Sequence, residues 1–277
     1  MEKELFEIRQ ALIQTFLREK GYDGVLLSKS DNFAMATGGK RNYIWTYAEG
    51  GANSIFVPRE GTACYVGDTI EKPRSLDEEF GGLGCGSVDY LWFDESPSGA
   101  VAKAFGNNLC SDDGSIGPNV HGDLAVLRSL LTPVELDKYR ALGKLAAEAM
   151  TVTLDSITVD STENEIAARL IYEGQIRQCQ VPVSLVAADE RIARYRHPLP
   201  TQDGLLGGGL TQRRVKGYVM VVGCFLREGL VVSLTRFKKV GALPEGVADA
   251  YNRICGVDTV MQEATQPGRT LGDVFAV

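Results

Sequence analysis

The chain has 277 residues, room for about two domains, with 23% charged and 44% hydrophobic residues. A formal net charge of -7 leaves no basic footprint for nucleic acid. Val215 to Val222 is too short and too interrupted to span a bilayer, and Met1-Glu2-Lys3-Glu4-Leu5 opens an amphipathic helix rather than a signal peptide. A cytoplasmic protein with neither a nucleic-acid nor a membrane partner is expected. The six cysteines form no Cys-x-x-Cys pair, which argues against a zinc ribbon or a thioredoxin-type site and for free thiols in packed positions.

Apolar residues Leu5, Ile8, Leu12, Phe16 and Leu17 recur at helical spacing and predict a helix over 4–20, stopped by Gly21. Gly24-Val25-Leu26-Leu27 reads as a buried strand, and 32–39 as a short helix and turn. Strands are predicted at 54–57 and 62–66, joined by the turn Pro58-Arg59-Glu60-Gly61. A helix is predicted over 100–109 and a short strand at Ser115-Ile116-Gly117. His121 falls in a turn-like segment and is expected to be a solvated loop residue. This alternation of helices and strands predicts an α/β domain with a central sheet.

A loop-rich region ends near Leu131. Thr132-Pro133-Val134-Glu135 then opens a helix, with Thr132 as N-cap, Pro133 at the first helical position and Glu135 at the third. The domain boundary is placed here, giving domains 1–131 and 132–277. The second domain repeats a pattern of long helix, turn and capping box. Thr162-Glu163-Asn164-Glu165-Ile166 ends the first instance, and Thr270-Leu271-Gly272-Asp273-Val274 ends the second, after a helix that starts near Glu245. The matching order predicts a structural duplication. Between the two instances, Gln202 to Arg214, with its Gly207-Gly208-Gly209 run, reads as a flexible loop near a pocket mouth. No strand leads into it and no Gly-Lys-Ser/Thr follows, so it is no phosphate loop.

Gly229-Leu230-Val231-Val232-Ser233-Leu234-Thr235-Arg236 resembles a strand of the aminopeptidase P, prolidase and creatinase family, Gly-Tyr-x-x-Asp-x-Thr-Arg. The segment from Leu131 to Arg140 resembles that family's entry into its catalytic domain. Ser161-Thr162-Glu163-Asn164-Glu165-Ile166-Ala167 resembles Gly-x-Thr-Glu-x-Glu-Ile/Val-Ala, and Pro267-Gly268-Arg269-Thr270 resembles the Pro-Gly-x-Thr that opens the second half of the domain. Ser30-Asp31-Asn32-Phe33 to Thr37-Gly38 is similar to a segment of the non-catalytic domain. The resemblance implies a creatinase-like N-terminal domain followed by a pita-bread α/β domain, here only its first half. It also implies a homodimer and a small amino acid derivative or Xaa-Pro peptide as substrate.

The departures from the family pattern bear on chemistry. The two strand positions where the family carries metal-binding Asp are Val222 and Ser233. The chain also ends at Val277 just as the second half opens, so the family's metal-binding His and two Glu are not in the sequence, which therefore looks truncated. Carboxylates supply the charge that holds a dinuclear centre, so no metal and no other cofactor is expected. His197, in Arg194-Tyr195-Arg196-His197-Pro198, is the candidate catalytic residue. The resemblance places a substrate-facing His after this segment, and in metal-free creatinase the matching His moves protons at a C–N bond. The alternative is a surface His beside prolines. Thr235 and Arg236 match family positions and are candidate substrate contacts, or simply close the sheet around the site. Arg41 is a candidate for binding a substrate carboxylate across a subunit boundary, or a solvated loop arginine. Two functions follow from the resemblance: a metal-independent C–N hydrolase, or a catalytically inactive homologue acting in binding or assembly.

Overall fold

The structure, a computed structural model, describes residues 2–200 and 213–277. The loop expected at 202–214 lies almost wholly outside the described residues. The chain divides into two compact units, Met1–Ala149 with Ile171–Val183 and Gly223–Leu234, and Met150–Leu170 with Ser184–Val222 and Thr235–Val277.

The first unit opens with α1 (Glu2–Lys20), β1 (Gly24–Lys29), α2 (Ser30–Thr37), β2 (Gly50–Pro58) and β3 (Cys64–Asp68). A one-turn α3 (Lys72–Arg74) runs into a π-helical turn (Ser75–Glu79), followed by β4 (Gly86–Tyr90), α4 (Pro97–Phe105), β5 (Leu109–Ser111) and α5 (His121–Ser129). The five strands form one sheet in the order β4-β3-β2-β1-β5. Pairings β1–β2 and β2–β3 are antiparallel, while β3–β4 and β1–β5 are parallel. The predicted helix forms, but its buried face is shifted from the predicted stripe: Leu5, Phe16 and Leu17 are buried as expected, Ile8 and Leu12 are exposed, and Phe6 and Ile13 take their place. Phe6, Ile13 and Leu17 pack with Val25, Leu27, Phe33, Ile55 and Tyr65, all at most 1% exposed. Each such side chain contributes about 1.5–3 kcal/mol on burial. The helix stops where expected, at Gly21 with φ 78°, its N–H bonded to the Leu17 carbonyl at 2.9 Å.

Two expectations in this unit are corrected. Ser115-Ile116-Gly117 is a bend, not a strand. Gly114 and Gly117 take φ of 83° and 61°, and the Ser111 hydroxyl accepts the N–H groups of Gly114 and Ile116 at 3.0 and 3.2 Å, so side-chain hydrogen bonds replace a strand ladder. The strand is instead Leu109–Ser111, because α4 ends at Phe105 before Gly106. His121 is no solvated loop residue. It opens α5, and its Nδ1 lies 3.0 Å from Asn32 Nδ2. Asn32 also donates to the buried Asp112 carboxylate at 2.9 Å. The Arg128 guanidinium bonds the Asn32 carbonyl oxygen, which fixes the amide orientation and makes His121 Nδ1 the acceptor.

From there the chain builds α6 (Pro133–Asp155), α7 (Glu163–Ile176), β6 (Gln180–Ala188), α8 (Glu190–Arg194), β7 (Tyr218–Arg227), β8 (Leu230–Lys239), α9 (Val247–Ala264) and α10 (Leu271–Phe275). Strands β6, β7 and β8 form a sheet in that order. All three expected capping boxes are present. Thr132 and Glu135 exchange bonds of 2.8 and 3.3 Å, Thr162 and Glu165 of 2.8 and 3.1 Å, and Thr270 and Asp273 of 2.8 and 3.1 Å. The two-residue turn Glu228-Gly229, with φ of 51° and 75°, links β7 to β8. A Cβ on Gly229 would come within 2.7 Å of the Ala34 Cβ, so this hairpin tip needs glycine for space as well as for φ.

Candidate functional site

The hairpin alternates in burial. On β7, Val219, Val221 and Phe225 are fully buried, while Met220, Val222 and Cys224 are half-buried. On β8, Val232 is buried and Ser233, Thr235 and Phe237 are exposed. This period of two places the residues of chemical interest on the more open positions.

In the second unit, the Thr235 end of β8 and α9 border an open cavity of about 760 Å3. Its walls are largely apolar, including Ile192, Val247 and Ile254. Phe237 and Tyr251 meet edge to face across it, centroids 6.1 Å apart. The polar side chains among its lining residues are Tyr218, Thr235, Arg236, Lys239, Tyr251 and Asn252. Burial, helped by the nearby Asp189 carboxylate, pushes the Tyr218 phenol above its ordinary pKa, so it stays protonated and able to donate. Arg236 donates to the Thr235 carbonyl at 2.8 Å, which leaves guanidinium donors to spare. An apolar cavity with a few convergent polar groups suits a small ligand with an apolar body and an anionic end.

Thr235 and Arg236 are thus brought to one cavity. His197 follows α8 in the same unit, is exposed, and is not among the residues lining that cavity. Arg41 lies in the first unit, beside a separate cavity of about 500 Å3. Its side chain and backbone N–H hold Glu79 at 2.8–3.0 Å, so an incoming carboxylate would compete with that acid. Sequence reasoning missed Tyr218 and Tyr251 as cavity residues. Nothing local marks them, because each is one tyrosine in an ordinary strand or helix pattern.

The strand positions corresponding to metal-binding Asp do not fit a metal. Val222 offers no donor atom, and the Ser233 hydroxyl pairs with the Cys224 thiol at 3.2 Å. Among the described residues no group of three or more His, Cys, Asp or Glu converges as a metal site. The cysteines are free, and Cys85 and Cys110 have thiol pKa values pushed up to about 12, first by burial. Among the described residues no helix is long and apolar enough to cross a membrane.

No protein-family model matches the chain, and no curated protein matches it in sequence. Solved structures do. Dipeptidase PepE from Mycobacterium ulcerans superposes with a TM-score of 0.74 at 18% identity, over 100% of this chain and 76% of that one. The prolidase from Pyrococcus horikoshii gives 0.74 at 17% identity, over 96% of this chain and 74% of the other. The X-Pro aminopeptidase from Thermotoga maritima gives 0.67 at 16% identity, over 91% and 70%. At these identities the likeness establishes the fold: the chain has the α/β pita-bread architecture of Xaa-Pro peptidases.

Proposed function

We propose that the chain is a relative of the Xaa-Pro peptidases that binds a small amino acid derivative or Xaa-Pro peptide and hydrolyses a C–N bond without a carboxylate-held dinuclear metal. The observation that carries this reading is the cavity bordered by Thr235 and Arg236. It lies beside a strand of the fold that this chain shares with a dipeptidase and a prolidase. Arg236 offers a cation to the substrate carboxylate, Tyr218 and Thr235 offer hydroxyls, and the Phe237–Tyr251 pair offers a flat apolar wall. His197, which does not line that cavity, is assigned the proton transfer, a role that requires its imidazole to reach the bound substrate. Water adds to the carbonyl carbon as its proton passes to the neutral ring, and the imidazolium so formed gives that proton to the amine as the C–N bond breaks. Arg41 is proposed to reach a substrate carboxylate in a homodimer of cytoplasmic location, and the boundary before Thr132 to separate the two domains. The donor chemistry of Val222 and Ser233 supports metal independence. Purified protein should hydrolyse a panel of Xaa-Pro dipeptides and small amides equally well with and without added Mn2+ or Co2+. His197→Ala should reduce the rate at least about 100-fold. No turnover on the whole panel in any metal condition rejects the hydrolase.

A second reading, a catalytically inactive binding or assembly protein, is favoured by α9. This helix buries none of its residues, and Tyr251, Ile254, Val257 and Val260 remain 53%, 60%, 52% and 46% exposed. Such an apolar stripe is an association surface. Partner binding that survives His197→Ala, without turnover, would select this reading.

A further inference from the structure

His197 sits on a segment with little regular structure, between α8 and the residues outside the described range. An exposed side chain on such a segment would ordinarily sample many positions, which suits poorly a group that must meet a reacting atom within hydrogen-bond distance. The surrounding chain contains a device that opposes this. Glu163, in the first turn of α7, is 1% exposed. One of its oxygens accepts the Ala188 N–H at 2.8 Å, at the end of β6, and the other receives the Arg191 guanidinium. Arg191 is itself only 6% exposed. Its second terminal nitrogen donates to the Leu199 carbonyl at 2.9 Å, two residues beyond His197. The planar fork of arginine can serve both acceptors at once in fixed geometry, which a lysine ammonium does less well. Pro198, between them, is buried.

The near side of the segment is anchored too. Asp189 joins β6 to α8 at φ 52° and ψ −121°, a conformation costly for a residue with a Cβ. Its carboxylate accepts the N–H groups of Lys216, Gly217 and Tyr218 at 3.0, 2.8 and 3.1 Å, which holds the elbow in place. Arg191 is the second residue of the helix this elbow launches, and its guanidinium also lies 5.8 Å from the Tyr195 ring centroid.

We propose that Arg191, clamped by Glu163, is a positioning residue for His197: it fastens both ends of the Tyr195–Leu199 segment so that an exposed imidazole is presented in one place. The inference rests on the reading of His197 as the proton-transfer residue, but its test needs no turnover. The chain contains two histidines, His121 and His197, so imidazole NMR gives one signal for each. His121 belongs to the other unit and serves as the internal control. In Arg191→Ala the His197 signal should shift and broaden while that of His121 stays, and Arg191→Lys should recover part of the change. An unchanged His197 signal in folded Arg191→Ala overturns the proposal. Should that variant unfold, backbone relaxation of the wild-type protein decides. Order parameters near ~0.85 across 195–199 support the clamp, and values below ~0.6 overturn it. Where turnover is measured, Arg191→Ala should lower kcat by about tenfold or more with KM little changed, and an unchanged kcat also overturns the proposal. An ordered His197 segment in a protein without activity keeps the clamp and rejects the hydrolase.

Discussion

Arg9 and Glu135 are 126 positions apart, and their side chains are 1% and 9% exposed. The guanidinium holds Glu135 through its Nε at 2.9 Å and through a terminal nitrogen, and it also donates to the Leu127 and Leu130 carbonyls at 3.1 and 3.0 Å. Four of its five N–H donors have these partners, and the carboxylate compensates the desolvated charge. Removing one partner leaves a buried unpaired cation. Glu135→Ala should therefore lower stability by about 3–5 kcal/mol, read as a lower urea midpoint at unchanged slope. A loss below about 1 kcal/mol would mean that water replaces the carboxylate. The sequence showed half of this arrangement. Glu135 was readable as the capping acid three residues after Thr132, but its long-range partner was not, because nothing near Arg9 distinguishes it from any other arginine on an amphipathic helix. Glu163 repeats the case: visible as part of a Thr-Glu-x-Glu pattern, it is an anchor only because folding brings Arg191 and Ala188 to it.

Elements that carry their own signal were the legible ones. Each capping box pairs residues three apart, so the physics is complete within one turn. Thr162→Ala should cost about 1 kcal/mol. The effect should also depend on pH. The Thr162 N–H and hydroxyl donate to Glu165 and hold its carboxyl below its ordinary pKa. A folded-state pKa below the unfolded one means that the contribution is complete above the ordinary carboxylate range and fades as pH falls through the lowered value. Thr162→Ala removes the hydroxyl's bond to the carboxylate and also the cap bond from the Glu165 N–H, and only the first depends on pH. Urea titrations of wild type and Thr162→Ala should therefore differ at every pH and somewhat more at neutral pH than in acid, and a difference that grows in acid would contradict the assignment. Elements without a local signature were missed. Strand β4 is five residues with no buried position, and the π-helical turn at Ser75–Glu79 has no sequence pattern of its own. The strand expected at Ser115–Gly117 failed because the Ser111 and Asp113 side chains claim the backbone N–H groups there.

For the molecule as a whole, α9 presents an exposed apolar face. Leu271 and Phe275 on α10 add to its apolar surface at 89% and 86% exposure. Self-association is the expected outcome, with a dimer mass by multi-angle light scattering at micromolar concentration. Ile254→Glu with Val257→Glu should shift the protein toward monomer, since charges at the centre of an apolar contact cost more than the contact gains. A wild-type monomer at every concentration, with no apolar-dye binding, would contradict the association surface.

The sequence by itself determined the fold class, the long helices with their caps, and the absence of carboxylates at Val222 and Ser233, because periodicity, capping and residue identity are local properties. The resemblance carried by Thr162-Glu163-Asn164-Glu165 and Thr235-Arg236 extended this to the architecture that the solved structures share. Only the tertiary structure decided that Thr235 and Arg236 border a cavity with Tyr218 and Tyr251, that His121 bonds Asn32 instead of facing water, and that Glu163 grips Arg191. These are contacts between residues far apart in the chain, and their energies depend on burial and distance, which no window of sequence contains.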